Sequence, residues 1–265
     1  MQGRGRLCDD RLMAARLSSK VVIVTGGSTG IGRAVADRVV AEGGAVVIAG
    51  RRREPGERAA AELRAGGGRA RFVATDVTVE REVQRLVEAA VDEFGRLDGA
   101  LNNAGGVNAT APLPGVDAGT WQADLAQNLT SVFYCLKYQI PAMTESAGGG
   151  SIINNASIGG VRGLPGLAPY VAAKHGVVGL TRSAALEGAA RGIRVNALVT
   201  GNVDTPLYRD LIGAPPDGEL PGPAPNPTGR AATAVEIASY VTYLLSDEAA
   251  FITGAALAID GGATA

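Results

Sequence analysis

The strongest constraint on this chain is a change of hydrophobic period that recurs from one end to the other. Short apolar runs rich in β-branched residues alternate with stretches of helical spacing. KVVIVTGG (20–27), AVVIAG (45–50), RARFVATD (69–76), LDGALNNAG (97–105), GGSIINNAS (149–157), IRVNALVTG (193–201) and ALAID (256–260) read as strands. Residues 31–42, 54–65, 79–94, 117–143, 170–190 and 233–246 read as helices. The stretch 79–94 carries Val79, Val83, Leu86, Val87, Ala90 and Phe94 on one stripe. Strands that are apolar throughout and separated by helices belong in a parallel sheet covered on both faces. The expected fold class is therefore α/β, a three-layer doubly wound sandwich with about seven parallel strands and right-handed crossovers.

The chain has 265 residues and is 46% hydrophobic, enough for one large domain with a sizeable core. No internal repeat or linker interrupts residues 19–265. One segment resists the pattern. Residues 206–229 hold seven of the thirteen prolines and read as a long loop with one helical turn. Long loops in compact domains commonly carry function. This one follows the sixth strand at the carboxyl edge of the sheet, where such folds bind ligands, and is expected to form a substrate lid. Residues 1–18 mix Arg and Asp without an apolar stretch and read as a disordered extension, with Met13 an alternative start.

Several function classes fall away. Net charge is −1 and no charge block occurs, so nucleic acid is not an expected partner. Two cysteines, Cys8 and Cys135, and one histidine, His175, do not make a metal site. No apolar run reaches the ~18 residues of a membrane span. A cytoplasmic location is the expectation.

Two motifs carry chemistry. TGGSTGIG (25–32) lies between the first strand and the first helix. Gly26, Gly30 and Gly32 leave room for a pyrophosphate to approach the backbone, and the helix start offers free N–H groups. No Lys-Ser/Thr pair ends the turn, so a phosphate-transfer loop is not expected. The second strand then ends in Gly50-Arg51-Arg52, with no carboxylate for a ribose 2′-hydroxyl. An arginine there suits the 2′-phosphate of NADP, although a solvated basic turn is the plainer alternative. The second motif is YVAAKHG (170–176). Tyr170 and Lys174 are four residues apart and share a helix face. Alone, the pair is compatible with an ordinary helix surface. His175 points about 100° away from Lys174 and fits a packed or interface role.

The ordered set of TGGSTGIG, NNAG (102–105), Asn128 in NLTSVFYCLK, Ser157 ending the fifth strand, and Tyr170-x-x-x-Lys174 resembles the single-domain branch of the short-chain dehydrogenase/reductase family. The likeness runs over about residues 18–265 and is nearest to 3-oxoacyl-carrier-protein reductases and related alcohol dehydrogenases. It implies a Rossmann-like fold and a ketone–alcohol interconversion with NADP(H) preferred and NAD(H) possible. It implies Tyr170 as general acid/base and Lys174 as the group that lowers the tyrosine pKa and holds the nicotinamide ribose. Ser157 would bond the substrate oxygen, and Asn128 would bend its helix and support a water in the proton relay. Cofactor contacts would come from Gly26, Ser28, Thr29, Gly30 and Ile31 in the turn, and from Arg51 and Arg52. Asp76 and Val77 would lie at the adenine, and Asn103, Ala104 and Gly105 along the cofactor floor. Gly201, Val203 and Thr205 would follow the sixth strand.

Two positions depart from the family pattern. Thr200-Gly201 stands where Pro-Gly is common, and Asn155-Ala156-Ser157 where Ser-Ser is frequent. Neither removes a catalytic group. The substrate is expected to be a small carbonyl or alcohol compound, in a pocket built by 106–116, 158–169 and the lid. Leu164, Leu167, Leu207, Leu211 and Ile212 are expected to line it. Small residues Ala172, Ala173, Gly176 and Gly179 suit close helix packing, and the family's usual interfaces imply a homotetramer. The alternatives are the same chemistry with NAD(H), a non-catalytic cofactor-sensing protein on this fold, and an epimerase of the longer related branch, whose extra C-terminal domain this chain lacks.

Overall fold

The computed structural model describes residues 16–108 and 110–265. Seven strands form one parallel sheet: β1 (Val21–Thr25), β2 (Ala45–Gly50), β3 (Arg69–Ala74), β4 (Gly99–Asn102), β5 (Gly150–Asn155), β6 (Ile193–Thr200) and β9 (Ala256–Ile259). Their order is β3-β2-β1-β4-β5-β6-β9. The strands read as unbroken apolar runs because alternate residues feed two different cores. Val22, Val24, Val46 and Ile48 point into one layer, with helices α1 (Gly30–Ala41), α2 (Arg53–Ala65) and α8 (Ala234–Leu245). Ile23, Val47 and Ala49 point into the other, with α3 (Glu80–Phe94), α5 (Ser131–Ala147) and α6 (Ala168–Gly188). This is the expected three-layer, Rossmann-like α/β fold. Strand order reverses between β1 and β4, and the crevice at their carboxyl ends is where such sheets take ligands.

Three sequence expectations need correction. The helix expected across 117–143 is three pieces: α4 (Ala118–Leu125), a π-helical turn at Ala126–Thr130, and α5. Segment 206–229 begins with a helix, α7 (Pro206–Ile212). Its base is closed by a two-residue parallel pair, β7 (Val203–Asp204) with β8 (Ala232–Thr233). Val79 precedes α3 as its N-cap and is exposed, leaving Val83, Leu86, Val87 and Ala90 as the buried stripe. His175 is exposed on the single chain, which leaves the interface half of its expected role, its Nδ1 lying 2.9 Å from the Val171 carbonyl oxygen.

Most of the extension expected at 1–18 lies outside the described residues. Its end is packed: Leu17 is fully buried, and Arg16 forms a two-point ion pair with Glu42. Arg38 of α1 and Thr242 of α8 meet the same carboxylate. Burial alone would raise Glu42, but the two guanidinium partners hold it below the usual carboxylate range.

Candidate active site

The site grows from the carboxyl ends of β1, β4 and β5. Gly26 and Gly30 in the turn after β1 have φ of 66° and 54°, a left-handed backbone that favours glycine. A Cβ on Gly32 would collide with the Gly26 carbonyl oxygen, so the first turn of α1 lies directly against the loop. No side chain caps α1: Thr29 occupies the cap position without bonding the helix start, and the first turn holds no acid. The free N–H groups and positive helix end can therefore receive an anion. Ser28 lies beside Gly50 at the tip of β2, and Ile31 packs on the core. Thr205 closes the loop from the far side, its methyl 3.1 Å from where a Gly30 Cβ would stand.

A second hollow opens at the ends of β2 and β3. Arg51, Arg53, Thr75, Asp76 and Glu82 are among the residues around a cavity of about 610 Å³. Arg51, an expected contact, lines it together with Arg53. Burial would raise the Asp76 carboxyl, but bonds from Thr78 and the nearby charge of Arg51 hold it low. Arg51 thus faces Asp76 across this space. Val77 is buried in a small cluster with Val83 and Cys135.

On the other side of β1, the expected floor at Asn103 and Ala104 is held by Thr25 and Asn155, whose part in it local sequence patterns did not single out. The Thr25 hydroxyl oxygen accepts the backbone N–H of Asn103 (2.9 Å) and of Ala104 (3.0 Å). The Asn103 side-chain amide donates to the Thr25 carbonyl, and the Asn155 amide donates to Asn103 Oδ1 at 2.9 Å. One layer below, Asn102, Gln139, Asn154 and Thr181 form a fully buried amide chain. Gly105 has no room for a side chain. A Cβ there would lie 2.7 Å from Asn128 Oδ1 and 3.6 Å from Lys174 Nζ.

Asn128 explains the π turn. Its side chain is fully buried, accepting the Gly106 N–H at 3.0 Å and donating to the Gly106 carbonyl at 2.9 Å and the Asp124 carbonyl at 3.1 Å. Pinning a helical side chain to a loop backbone in both directions distorts the local helical turn, as π-bulges do.

Tyr170, Lys174 and Ser157 converge here. Ser157 is buried and its Oγ accepts the Gly159 N–H, turning the chain after β5. Lys174 Nζ donates to the Asn155 carbonyl at 2.7 Å and sits 5.5 Å from the Tyr170 ring centroid. Burial pushes Lys174 down to about 8. Burial also raises the Tyr170 phenol, partly offset by bonding to Ser157 and reinforced by the charge of Asp124. The Lys174 ammonium is directed at the Asn155 carbonyl, and desolvation dominates both groups.

The remaining expected residues close the site from β6. Gly201 lies against Asp260, where a Cβ would be 2.7 Å from the Asp260 Cα, and Val203 is buried in β7. Thr205 caps α7 by accepting the Tyr208 N–H. Segments 110–116 and 158–169 are joined by the Ala111 N–H to the Gly166 carbonyl. Of the expected apolar lining, Leu207 reaches over Gly106, while Leu207, Leu211 and Ile212 all remain substantially exposed. Arg209, buried in α7, pairs two-pronged with Asp204 and donates to the carbonyls of Pro215 and Gly218. Among the described residues no helix is long and apolar enough to cross a membrane, and no cluster of metal-ligating side chains occurs.

The chain is similar to known proteins. A family model described as enoyl-(acyl carrier protein) reductase matches residues 26–264. The 2,5-dichloro-2,5-cyclohexadiene-1,4-diol dehydrogenase of Sphingobium indicum is 45% identical over 249 residues, 94% of this chain and 98% of that one. The cis-4-hydroxycyclohexanecarboxylate dehydrogenase of Sinomonas cyclohexanicum is 44% identical, covering 96% of this chain and all of that one (100%). The crystal structure of levodione reductase superposes with a TM-score of 0.85 at 35% identity, over 92% of this chain and 97% of that one.

Proposed function

Because the chain belongs to the short-chain dehydrogenase/reductase family and is an NAD(P)-dependent oxidoreductase acting on CH–OH groups, we propose that it interconverts a ring-borne secondary alcohol and its ketone, prefers NADP(H), and uses Tyr170 as proton carrier. The observation that carries the chemistry is the grouping of Asn128 and Lys174 beside Gly105, with Tyr170 next to Lys174 and to Ser157. The ring-borne substrate class is supported by the names of the relatives, a cyclohexadiene diol dehydrogenase and a hydroxycyclohexanecarboxylate dehydrogenase.

The dinucleotide fits the residues present: a turn with no room for side chains, an uncapped helix start, and a basic cavity at the ends of β2 and β3. Gly26, Ser28, Gly30 and Ile31 would hold the pyrophosphate, Asp76 and Val77 the adenine, and Arg51 the 2′-phosphate through its guanidinium fork. Bound nicotinamide supplies the hydride that reduces a carbonyl carbon, or accepts it from the alcohol. Tyr170 donates its phenolic proton to the carbonyl oxygen in reduction and takes it back in oxidation. Ser157 orients that oxygen. Lys174 holds the ribose and, through Asn155, the end of β5.

Two experiments test the reading. Tyr170→Phe should cost about 10²-fold or more in turnover with the fold intact, since it removes the proton carrier. Near-normal turnover rejects that role. Thermal stability with saturating NADPH, NADH or neither reads the cofactor. Binding stabilises by roughly 2.7 kcal/mol at 100 times Kd, so NADPH should raise the melting temperature more than NADH. The opposite order makes Arg51 a solvated turn residue and keeps the enzyme class.

A further inference from the structure

Helix α7 buries an arginine and leaves its leucines outside. Arg209 is buried, while Leu207, Leu211 and Ile212 are substantially exposed. Leu207 and Leu211 share one face at i and i+4, and Arg209 lies about 200° round the helix from Leu207. A buried guanidinium is costly unless its donors are satisfied. Nε and Nη2 donate to the two Asp204 carboxylate oxygens at 2.6 and 2.8 Å. Nη1 donates to the Pro215 carbonyl and Nη2 to the Gly218 carbonyl, each at 2.8 Å.

Those last two bonds are the polar hold on the stretch that follows. Among the described residues, 215–223 take part in no backbone–backbone hydrogen bond, and their only side-chain bonds come from Arg209. Asp204 lies in β7, so the guanidinium ties this stretch to the strand that precedes α7. The start of the helix is fixed separately, by Thr205 accepting the Tyr208 N–H.

We propose that Arg209 is a positioning residue for the substrate: its clamp sets the rotation of α7, and so presents the face of Leu207 and Leu211 to the pocket. The link to the site is Gly106. A Cβ on Gly106 would lie 3.6 Å from Leu207 Cδ1, and the Gly106 N–H and carbonyl are both held by the Asn128 side chain. Leu207 therefore lies over the loop residue that Asn128 grips. An apolar roof meets the carbon skeleton of a ring-borne alcohol, not its hydroxyl. Hydride and proton transfer are left to groups on other elements, so the clamp acts on substrate binding. That consequence rests on the ketone–alcohol reading; the clamp itself does not.

Arg209→Met tests both, because it removes every donor and keeps the length of the stem. The Asp204 side chain is 35% exposed, so the variant strands no fully buried charge. The first readout is cleavage by glutamyl endopeptidase after Glu219, the only glutamate in segment 206–229, located by mass spectrometry. Loss of the clamp should make this cut several-fold faster. The second is steady-state oxidation of cyclohexanol with the dinucleotide the parent prefers. The alcohol KM should rise about tenfold, while kcat and the dinucleotide KM stay within about twofold. An unmoved cleavage rate overturns the clamp. An unmoved alcohol KM beside faster cleavage overturns the positioning role and leaves the leucine face to a second copy of this chain. A fall in kcat with both KM values unchanged also overturns it, since a merely structural residue behaves that way. If Arg209→Met does not fold, Arg209→Lys keeps the charge without the fork and is read the same way. A parent inert toward cyclic secondary alcohols with either dinucleotide removes the substrate role together with the ketone–alcohol reading, whereas the cut at Glu219 still decides the clamp.

Discussion

Lys174 is folded into a place where the Asn155 carbonyl is its hydrogen-bond partner, so its charge carries a desolvation cost that is written into stability. Its folded pKa, about 8, lies below the ordinary lysine value near 10.4. Between those values the unfolded chain binds more protons than the folded one, so stability rises as pH rises through that window. Lys174→Met removes the titrating group. The variant should be more stable than the parent at pH 7, by up to about 3 kcal/mol, with the gap closing between pH 8 and pH 10.5. Urea unfolding at a series of pH values checks this, and a constant gap would mean the ammonium is better solvated than its burial indicates. Tyr170, Lys174 and Ser157 were legible from spacing and resemblance. Thr25, Asn155 and Asp124 were not. The first two act on chain segments far away in sequence, 78 residues in the case of Thr25 and Asn103. Asp124 sits in a stretch where a carboxylate ordinarily reads as solvent-facing.

Elements were legible in proportion to their length and chemistry. Six of the strands read directly from β-branched apolar runs, and β9 from a shorter one. The π turn was hidden because Ala126, Gln127 and Leu129 are all competent helix residues, and the extra residue is fixed by Asn128 bonding a distant loop. Strands β7 and β8 are two residues each, too short for any periodic signal. The glycine turn is the element whose geometry is least forgiving. Gly32→Ala places a Cβ on the Gly26 carbonyl oxygen, which is backbone and cannot rotate aside. The variant should lose roughly 2 kcal/mol or more and its dinucleotide-induced thermal shift together. Retention of the shift would show that α1 can move off the loop.

For the whole molecule, the apolar residues left outside the two cores are informative. Phe251 is fully exposed and Leu186 is 83% exposed. They belong to neighbouring segments, because Gly254 lies against Ala185. A homotetramer is the proposed assembly, and light scattering at micromolar concentration should give four times the 26.8 kDa chain mass. Phe251→Asp should lower that mass if this face is one of the contacts, and a clean monomer in the parent ends the idea. The parallel pair of β7 and β8 has a different reach. It fastens both ends of the segment between Asp204 and Ala232 to each other, independently of the seven-stranded sheet. Closing a loop costs only about 0.6 kcal/mol more for each doubling of its length. Added length in the exposed stretch beyond Gly218 thus costs folding little, whereas Thr205 and Arg209 inside the clasp are tied to the rest of the protein. The length of this stretch can therefore change while the seven-stranded scaffold beneath it keeps its register.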